Sequence, residues 1–296
     1  MFENYKVFKT KLAGRDLVVE TGKLAQLANG SCLIRYGDTA VHVAVTASEK
    51  PREGIDFFPL SVDFEERLYS VGKIPGSFSK REGKPSEKAI LASRVIDRPI
   101  RPLFPKDMRN DVSVVCTVMS VDEDCSPEIT AMIGTSIALS ISDIPWNGPI
   151  GGVFVGLVED EIVINPTLEQ REKSDLFLTV ASTKELISMI EAGANEVSDE
   201  KMYEAILKAH EVNKEVIEFI EKIKSEIGKN KFLYDSSEPS EEMINQIRDY
   251  VEEDLKFALY TPDKTVREER LTPIYKKVHD RFESLYPNEE KKLDEC

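Results

Sequence analysis

Histidine and cysteine are scarce in this 296-residue chain, with three of the former (His42, His210, His279) and four of the latter (Cys32, Cys116, Cys125, Cys296). The histidines are isolated, and the cysteines show no C-x-x-C spacing. Neither a structural zinc site nor a disulfide framework is therefore expected. Cys32 and Cys116 sit in apolar, strand-like runs, where a thiol behaves as a small hydrophobe. Long apolar runs are missing as well, since none approaches the roughly 20 residues that span a bilayer. The opening Met1-Phe2-Glu3-Asn4-Tyr5-Lys6 lacks the basic-then-apolar order of a signal peptide. A cytoplasmic protein without a membrane partner is the expectation.

Two phosphate-binding motifs are also absent. Gly76 and Gly83 have six residues between them and Pro85 follows Lys84, whereas a P-loop needs four residues and then Lys-Ser/Thr. Gly148-Pro149-Ile150-Gly151-Gly152 has the wrong spacing for a dinucleotide fingerprint and reads as a tight turn into a strand. Asp122-Glu123-Asp124 are adjacent acids that point in different directions, so they read as a solvated turn in preference to a cation site.

Positive charge is the other shortage, and it is unevenly spread. The chain carries 39 basic and 54 acidic residues, a formal −15. Residues 71–110 nevertheless hold ten Lys/Arg against four acids, a local +6 that leaves −21 for the remainder. Such a stretch in an acidic body focuses anions. Its first part, Gly76-Ser77-Phe78-Ser79-Lys80-Arg81-Glu82-Gly83-Lys84-Pro85-Ser86-Glu87, joins cations to an aromatic ring. Phosphates bind the basic groups and bases stack on the ring, a combination suited to single-stranded polynucleotide. A solvated surface loop is the plain alternative. Arg94, Arg98 and Arg101 recur at i, i+4 and i+7, placing three guanidinium groups on one helical face with Asp97 near enough to pair with Arg101. That face either grips phosphate or braces the core. For Arg94 both readings stand, and for Arg98 the bracing role is preferred.

The pattern along the chain is α+β, with 41% hydrophobic residues and a length sufficient for one large or two ordinary domains. Strands are expected over Tyr5 to Leu12, Leu17 to Glu20, Cys32 to Arg35 and Ala40 to Thr46, the last apolar on both faces and so buried between layers. A helix begins at Pro85-Ser86-Glu87, shows a stripe of Ile90, Leu91, Val95 and Ile96, and ends at Pro99. Then come a strand from Val112 to Val121, a helix from Ile129 to Ile141, and a hairpin of Gly152 to Val158 with Glu161 to Ile164. Leu176 to Val180 forms a further strand, followed by a helix starting near Thr183. Ser198 caps a long helix that stops at Gly228. A polar linker, Lys229 to Pro239, leads to helices, with Thr261-Pro262 and Thr272-Pro273 reading as helix starts. The expected domains are a core over residues 1–230, divided at 145/146, and a small all-helical domain over 240–296. That last part has no closing element, and a piece of a longer chain is the expectation.

Four segments carry a family likeness: residues 76–87, Ile96-Asp97-Arg98-Pro99-Ile100-Arg101-Pro102-Leu103-Phe104-Pro105, Ala131-Met132-Ile133-Gly134 and Asn147-Gly148-Pro149-Ile150-Gly151. From about Tyr5 onward the chain resembles the first core domain of the bacterial polynucleotide phosphorylases. The resemblance implies a ribonuclease PH fold, of the ribosomal protein S5 domain 2-like class, followed by an all-helical domain. It implies a three-subunit ring, a homotrimer whose pore constriction is lined by Phe78, Ser79, Lys80 and Arg81 and binds single-stranded RNA. Ser79 stands where the family has a second aromatic or apolar residue, which shifts weight from stacking to charge. Lys84, Arg94 and Arg101 complete the candidate RNA-binding set.

The implied reaction of the family is 3′-to-5′ phosphorolysis of RNA, with inorganic phosphate as co-substrate and magnesium as cofactor, in mRNA turnover. Proteins of an RNA-degradation complex are further implied partners. The family's phosphate-binding serines of the second core correspond here to Ser126-Pro127-Glu128, and its metal-binding carboxylate and lysine to Phe177 and Thr179. No catalytic or metal-binding residue is therefore expected in this segment, which would supply RNA binding and ring assembly. A self-sufficient phosphorolytic enzyme and a purely structural ring subunit are the alternatives.

Overall fold

Alternation of apolar and polar residues builds the first sheet, because successive strand side chains point to opposite faces. A computed structural model describes residues 2–76, 82–234, 236, 238–287, 292 and 293, and its two compact units are Met1–Tyr234 and Asp235–Cys296. In the first unit, β1 (Lys6–Leu12), β2 (Arg15–Thr21), β3 (Gly30–Tyr36), β4 (Thr39–Ala47), β5 (Leu60–Glu66) and β6 (Val112–Ser120) pair in the order β1-β2-β3-β4-β6-β5. Only β5 and β6 run parallel. The β1–β2 turn places Ala13 at φ 47° and Gly14 at φ 79°, the left-handed pair that a two-residue hairpin requires.

The buried face of this sheet, with Ile34, Val41, Val43, Val114 and Cys116, packs on helices α1 (Glu87–Ile100) and α2 (Pro127–Ile141). Helix α2 is buried at every residue from Ile129 to Ile141. Its small residues explain how it fits. A Cβ on Gly134 would lie 2.8 Å from Ile34 Cγ2 and 2.9 Å from Val43 Cγ2, so helix and sheet touch through a bare backbone. Cys32 and Cys116 meet the same helix, at Gly134 O and Thr135 Oγ1, each at 3.4 Å. Burial raises both thiols, that of Cys116 to about 12, which fits inert packing groups.

The second sheet has the order β10-β9-β7-β8, from β7 (Gly151–Val158), β8 (Glu161–Ile164), β9 (Leu176–Ser182) and β10 (Ile187–Ala194). Between β8 and β9 lies the short α3 (Leu168–Glu172), opened by a Thr167/Gln170 capping box. The long α4 (Asp199–Ile227) is capped by Ser198 and covers β7, β9 and α2. Asn213 on α4 donates to Val180 O and Ser182 Oγ, both at 3.1 Å. Trp146, the single tryptophan, is buried where α1 ends. Its Nε1 donates to Ile100 O at 3.1 Å, and its ring tilts against Phe104. The second unit is a hairpin of α5 (Glu241–Leu259) and α6 (Lys264–Phe282) around Met243, Ile247, Val251, Ile274, Val278 and Phe282.

Five readings of the sequence are corrected. No helix starts near Thr183: a tight turn, with Thr183 N donating to Leu186 O at 2.8 Å, leads into β10, which pairs with β9. Strand β9 thereby has a partner on each side, and tertiary pairing overrides local helical spacing. Thr272-Pro273 lies inside α6, which begins at its Asp263 cap; the Thr272 hydroxyl donates back to Glu268 O at 2.9 Å. Helix α1 continues one residue past Pro99, to Ile100. Its stripe is also different: Ala89, Ala92, Ile96, Pro99 and Ile100 face inward, while Ile90 is 46% and Leu91 60% exposed. Small residues at 89 and 92 let the first turns approach β5, and the larger side chains turn outward. Finally, the linker's first half is fastened to the core. Lys229 N donates to Ile141 O at 3.1 Å, Phe232 N to Asp143 O at 2.8 Å, and Lys231 Nζ to Leu139 O and Ser142 O at 3.0 and 2.7 Å. Tyr234 donates to Asp107 at 2.7 Å.

Candidate nucleic-acid interface

The basic segment leaves the sheet from β5 and returns at α1. A single 3-10 turn, Leu68–Val71, follows β5 and is closed by Gly72 at φ 70°, a conformation costly for any residue with a Cβ. On the return side, Glu82 Oε1 accepts from Leu68 N at 2.7 Å, and Oε2 accepts from Arg67 Nη1 at 3.3 Å. Arg67 is shared, pairing with Glu65 as well. Four residues later Ser86 caps α1 by accepting from Ala89 N at 3.0 Å and donates its hydroxyl to Glu66 Oε2 at 2.8 Å. Outgoing and returning strands of the loop are thus tied to one corner of the sheet.

The four residues Phe78, Ser79, Lys80 and Arg81 lie outside the described residues. Lys84 is exposed on the rim of an open cleft of about 1080 Å³ that it shares with Arg67, Lys73, Ile74 and Ile90. Arg94 is exposed on α1, without a hydrogen bond or ion pair among the described residues. Arg101 is placed differently. Asp97 grips its guanidinium at 2.9 and 2.8 Å, the pairing the spacing predicts, and the remaining donors reach Leu60 O at 3.1 Å and Phe58 O at 3.5 Å. Most of its donors are thus taken by Asp97 and by two main-chain carbonyls at the start of β5. Arg98 pairs with Glu191 of β10 at 3.1 Å, with both side chains more than half exposed.

The electrostatics are less one-sided than the sequence window. Asp63, Glu65 and Glu66 of β5 line the same cleft, because the fold brings an acidic strand alongside the basic segment. Lys88 is drawn to Glu128 at 3.4 Å. Of the described cations that line the cleft, Lys73 and Lys84 make no ion pair among the described residues, and neither does Arg94, next along α1 from the cleft residue Ser93. Lys73, Arg67 and the clamp residues Glu82 and Ser86 were not singled out by sequence reasoning as site residues. Glu82 read as one acid among many and Ser86 only as a helix start.

At the N-terminus of α2, Ser126 accepts from Ile129 N at 3.3 Å and donates to Glu128 at 2.7 Å. The chain's own carboxylate therefore occupies the positive end of the helix. Phe177 and Thr179 are neighbours on β9 with no carboxylate between them. In the acidic turn, Asp122 Oδ1 accepts from Asp124 N at 3.0 Å, and this bond holds the Asp122 carboxyl below its ordinary range. Asp124 in turn accepts from Leu168 N at 2.7 Å. Among the described residues no three His, Cys, Asp or Glu side chains cluster to hold a metal ion. The magnesium of the implied reaction therefore does not fit the donor sets described. His42 Nε2 is buried without a partner among the described residues, and burial lowers the imidazole. His210 meets Ser182 at 2.9 Å.

Comparison with known proteins places this geometry. Residues 13–145 match the 3′ exoribonuclease family, domain 1, and residues 148–212 match the same family, domain 2. The polyribonucleotide nucleotidyltransferase of Ruminiclostridium cellulolyticum is 57% identical over 292 residues, 99% of this chain and 42% of that protein. That of Clostridioides difficile is 58% identical over 283 residues, 96% of this chain and 40% of that protein. The chain thus spans about two fifths of the length of the curated relatives it matches. Among solved structures, rice Rrp46 superposes with a TM-score of 0.56 at 15% identity, covering 76% of this chain and 96% of that one, a likeness of fold. With both family domains matched in order, and with the helices and two sheets they require in place, the chain belongs to the 3′ exoribonuclease family.

Proposed function

We propose that this chain is the RNA-handling segment of a 3′-to-5′ phosphorolytic exoribonuclease, and that the chemistry resides in parts of the longer enzyme beyond it. The observation that carries the reading is the state of the α2 N-terminus. There Glu128, engaged by Ser126 and Lys88, sits where an attacking phosphate would need an anion-binding pocket, and a resident carboxylate repels one. Lys73 and Lys84 on the cleft and Arg94 exposed on α1, together with Phe78, Lys80 and Arg81, suit a single-stranded backbone with stacked bases. In this reading the three-subunit ring, magnesium, inorganic phosphate, contact with RNA-degradation proteins and a cytoplasmic role in mRNA turnover are properties of the whole enzyme.

The test is paired. Titration of a fluorescein-labelled oligoribonucleotide against the chain, at several salt concentrations, measures binding. Chromatography of the same mixtures with phosphate and magnesium measures nucleoside diphosphate. Salt-sensitive binding without diphosphate release is the expected result. Diphosphate release by the chain alone would overturn the division of labour, and absence of binding would favour a structural ring subunit.

A further inference from the structure

Residues 240–296 hold fifteen acidic and ten basic residues, yet one side of the seam between α5 and α6 is basic and aromatic. Tyr250, Asp254 and Phe257 recur on α5 at i, i+4 and i+7, and Arg270, Lys277 and Arg281 on α6 at i, i+7 and i+11. Both spacings keep a set on one helical face, and the two sets meet. Arg270 lies over the Phe257 ring, 4.4 Å from its centroid, and donates to Phe257 O at 3.1 Å. Lys277 and Arg281 stand over the Tyr250 ring at 4.7 and 5.7 Å, and Lys277 pairs with Asp254 at 2.6 Å. Three cations against one acid make up this strip. The nearby acids Glu252 and Glu253 are held by Lys256, and Glu268 by Lys264.

We propose that this strip is a second contact for single-stranded RNA, built on the helical domain and separate from the basic loop; the choice of ligand rests on the function proposed above. Phe257 is 66% exposed, so the face of its ring turned away from Arg270 is open to a base. Arg270 and Arg281 make no ion pair among the described residues and keep donors for phosphate. A cation behind an exposed ring, with further cations along the same line, is the combination that seats a stacked base and its backbone. Tyr250 and Phe257 lie about 10.5 Å apart along the helix axis, a span of a few nucleotides. Every base has a π face, so the strip carries little sequence preference. Cation–π pairs that merely fasten the hairpin are the competing account, and they predict no effect on RNA.

Titration of a labelled oligoribonucleotide against the 296-residue chain tests this in two backgrounds, wild type and Lys80→Ala with Arg81→Ala. In both, Lys277→Gln with Arg281→Gln is expected to lower affinity about tenfold and to reduce the salt slope by about 1.4, the loss of two phosphate contacts on a single strand. Phe257→Ala is expected to lower affinity about tenfold with the slope unchanged. Inorganic polyphosphate, which has no bases, should compete equally well against wild type and against the chain carrying Phe257→Ala. Thermal melting checks the fold of each variant. On the wild-type chain, photocrosslinking with an iodouridine-substituted oligoribonucleotide should label peptides containing Tyr250 or Phe257. Unchanged affinity for the seam variants in both backgrounds, or crosslinks confined to residues before 235, would overturn the inference and leave the RNA-handling role to the loop. Loss of binding from the seam variants with none from Lys80→Ala and Arg81→Ala would uphold the strip and remove the loop.

Discussion

Glu82 and Leu68 are joined by a carboxylate-to-amide hydrogen bond of 2.7 Å that closes the base of the basic loop. The same carboxylate meets Arg67, so one side chain fixes both the path and the charge of the loop's return. Glu82→Ala leaves the Leu68 N–H without its acceptor. A loss of about 1 kcal/mol in loop ordering lowers RNA affinity roughly fivefold with the melting temperature nearly unchanged. Fluorescence anisotropy and thermal melting check this, and an unchanged affinity removes the clamp from the RNA-binding account.

The exposed cations and the arginine held by the sheet should behave differently. Lys84→Ala and Arg94→Ala, like Lys80→Ala and Arg81→Ala, are expected to weaken RNA binding and to reduce the salt slope by a little under one unit for each phosphate no longer neutralised. Arg101→Ala frees Asp97 and the Leu60 and Phe58 carbonyls. It should therefore cost about 1 kcal/mol of stability and leave the salt slope alone. A change in slope for Arg101→Ala of the size seen for Arg94→Ala would show that the two play the same part.

Helix α2 has no room to spare. Gly134→Ala pushes a methyl group against Ile34 and Val43 at under 3 Å, and overpacking of this kind costs about 1–3 kcal/mol. Urea unfolding should show a lowered midpoint with an unchanged slope. Equal stability of the alanine variant would mean that the sheet gives way more easily than its packing indicates.

Lys231 supplies a pH test. Burial, with Lys224 nearby, pushes its ammonium down to about 8 from an ordinary 10.5. The folded state then holds fewer protons than the unfolded one between those values, and stability rises with pH through that window. Measured against Lys231→Gln, which does not titrate, the wild type should gain stability from about pH 8 to about pH 10.5 and show a constant difference below it. A difference independent of pH would place Lys231 in solvent.

Apolar strand-like runs made most of the first sheet legible: Tyr5 to Leu12 and Ala40 to Thr46 lie within a residue or so of β1 and β4, whereas β5, polar at its exposed edge, carried no such reading. The small residues of α2 likewise announced close packing. The turn at Thr183 was hidden because Lys184-Glu185-Leu186-Ile187 suits a helix locally, and only the open edge of β9 decides otherwise. At the site, the Asp97–Arg101 pair could be read from i, i+4 spacing. The carbonyls of Phe58 and Leu60 that claim the same arginine lie about forty positions away in sequence, and Glu65 and Glu66 are likewise remote in the chain from the helix face they temper. A charge count along the chain is blind to such neighbours, so the basic window overstated its own field.

The lone indole at Trp146 sits where the end of α1 meets the loop after α2. Its emission is consequently a built-in optical gauge of the arginine-bearing helix, free of interference from any second indole. Quenching or red-shift on adding RNA would register strain passed along α1, and a steady signal would mean the helix holds its seat while the loop does the gripping.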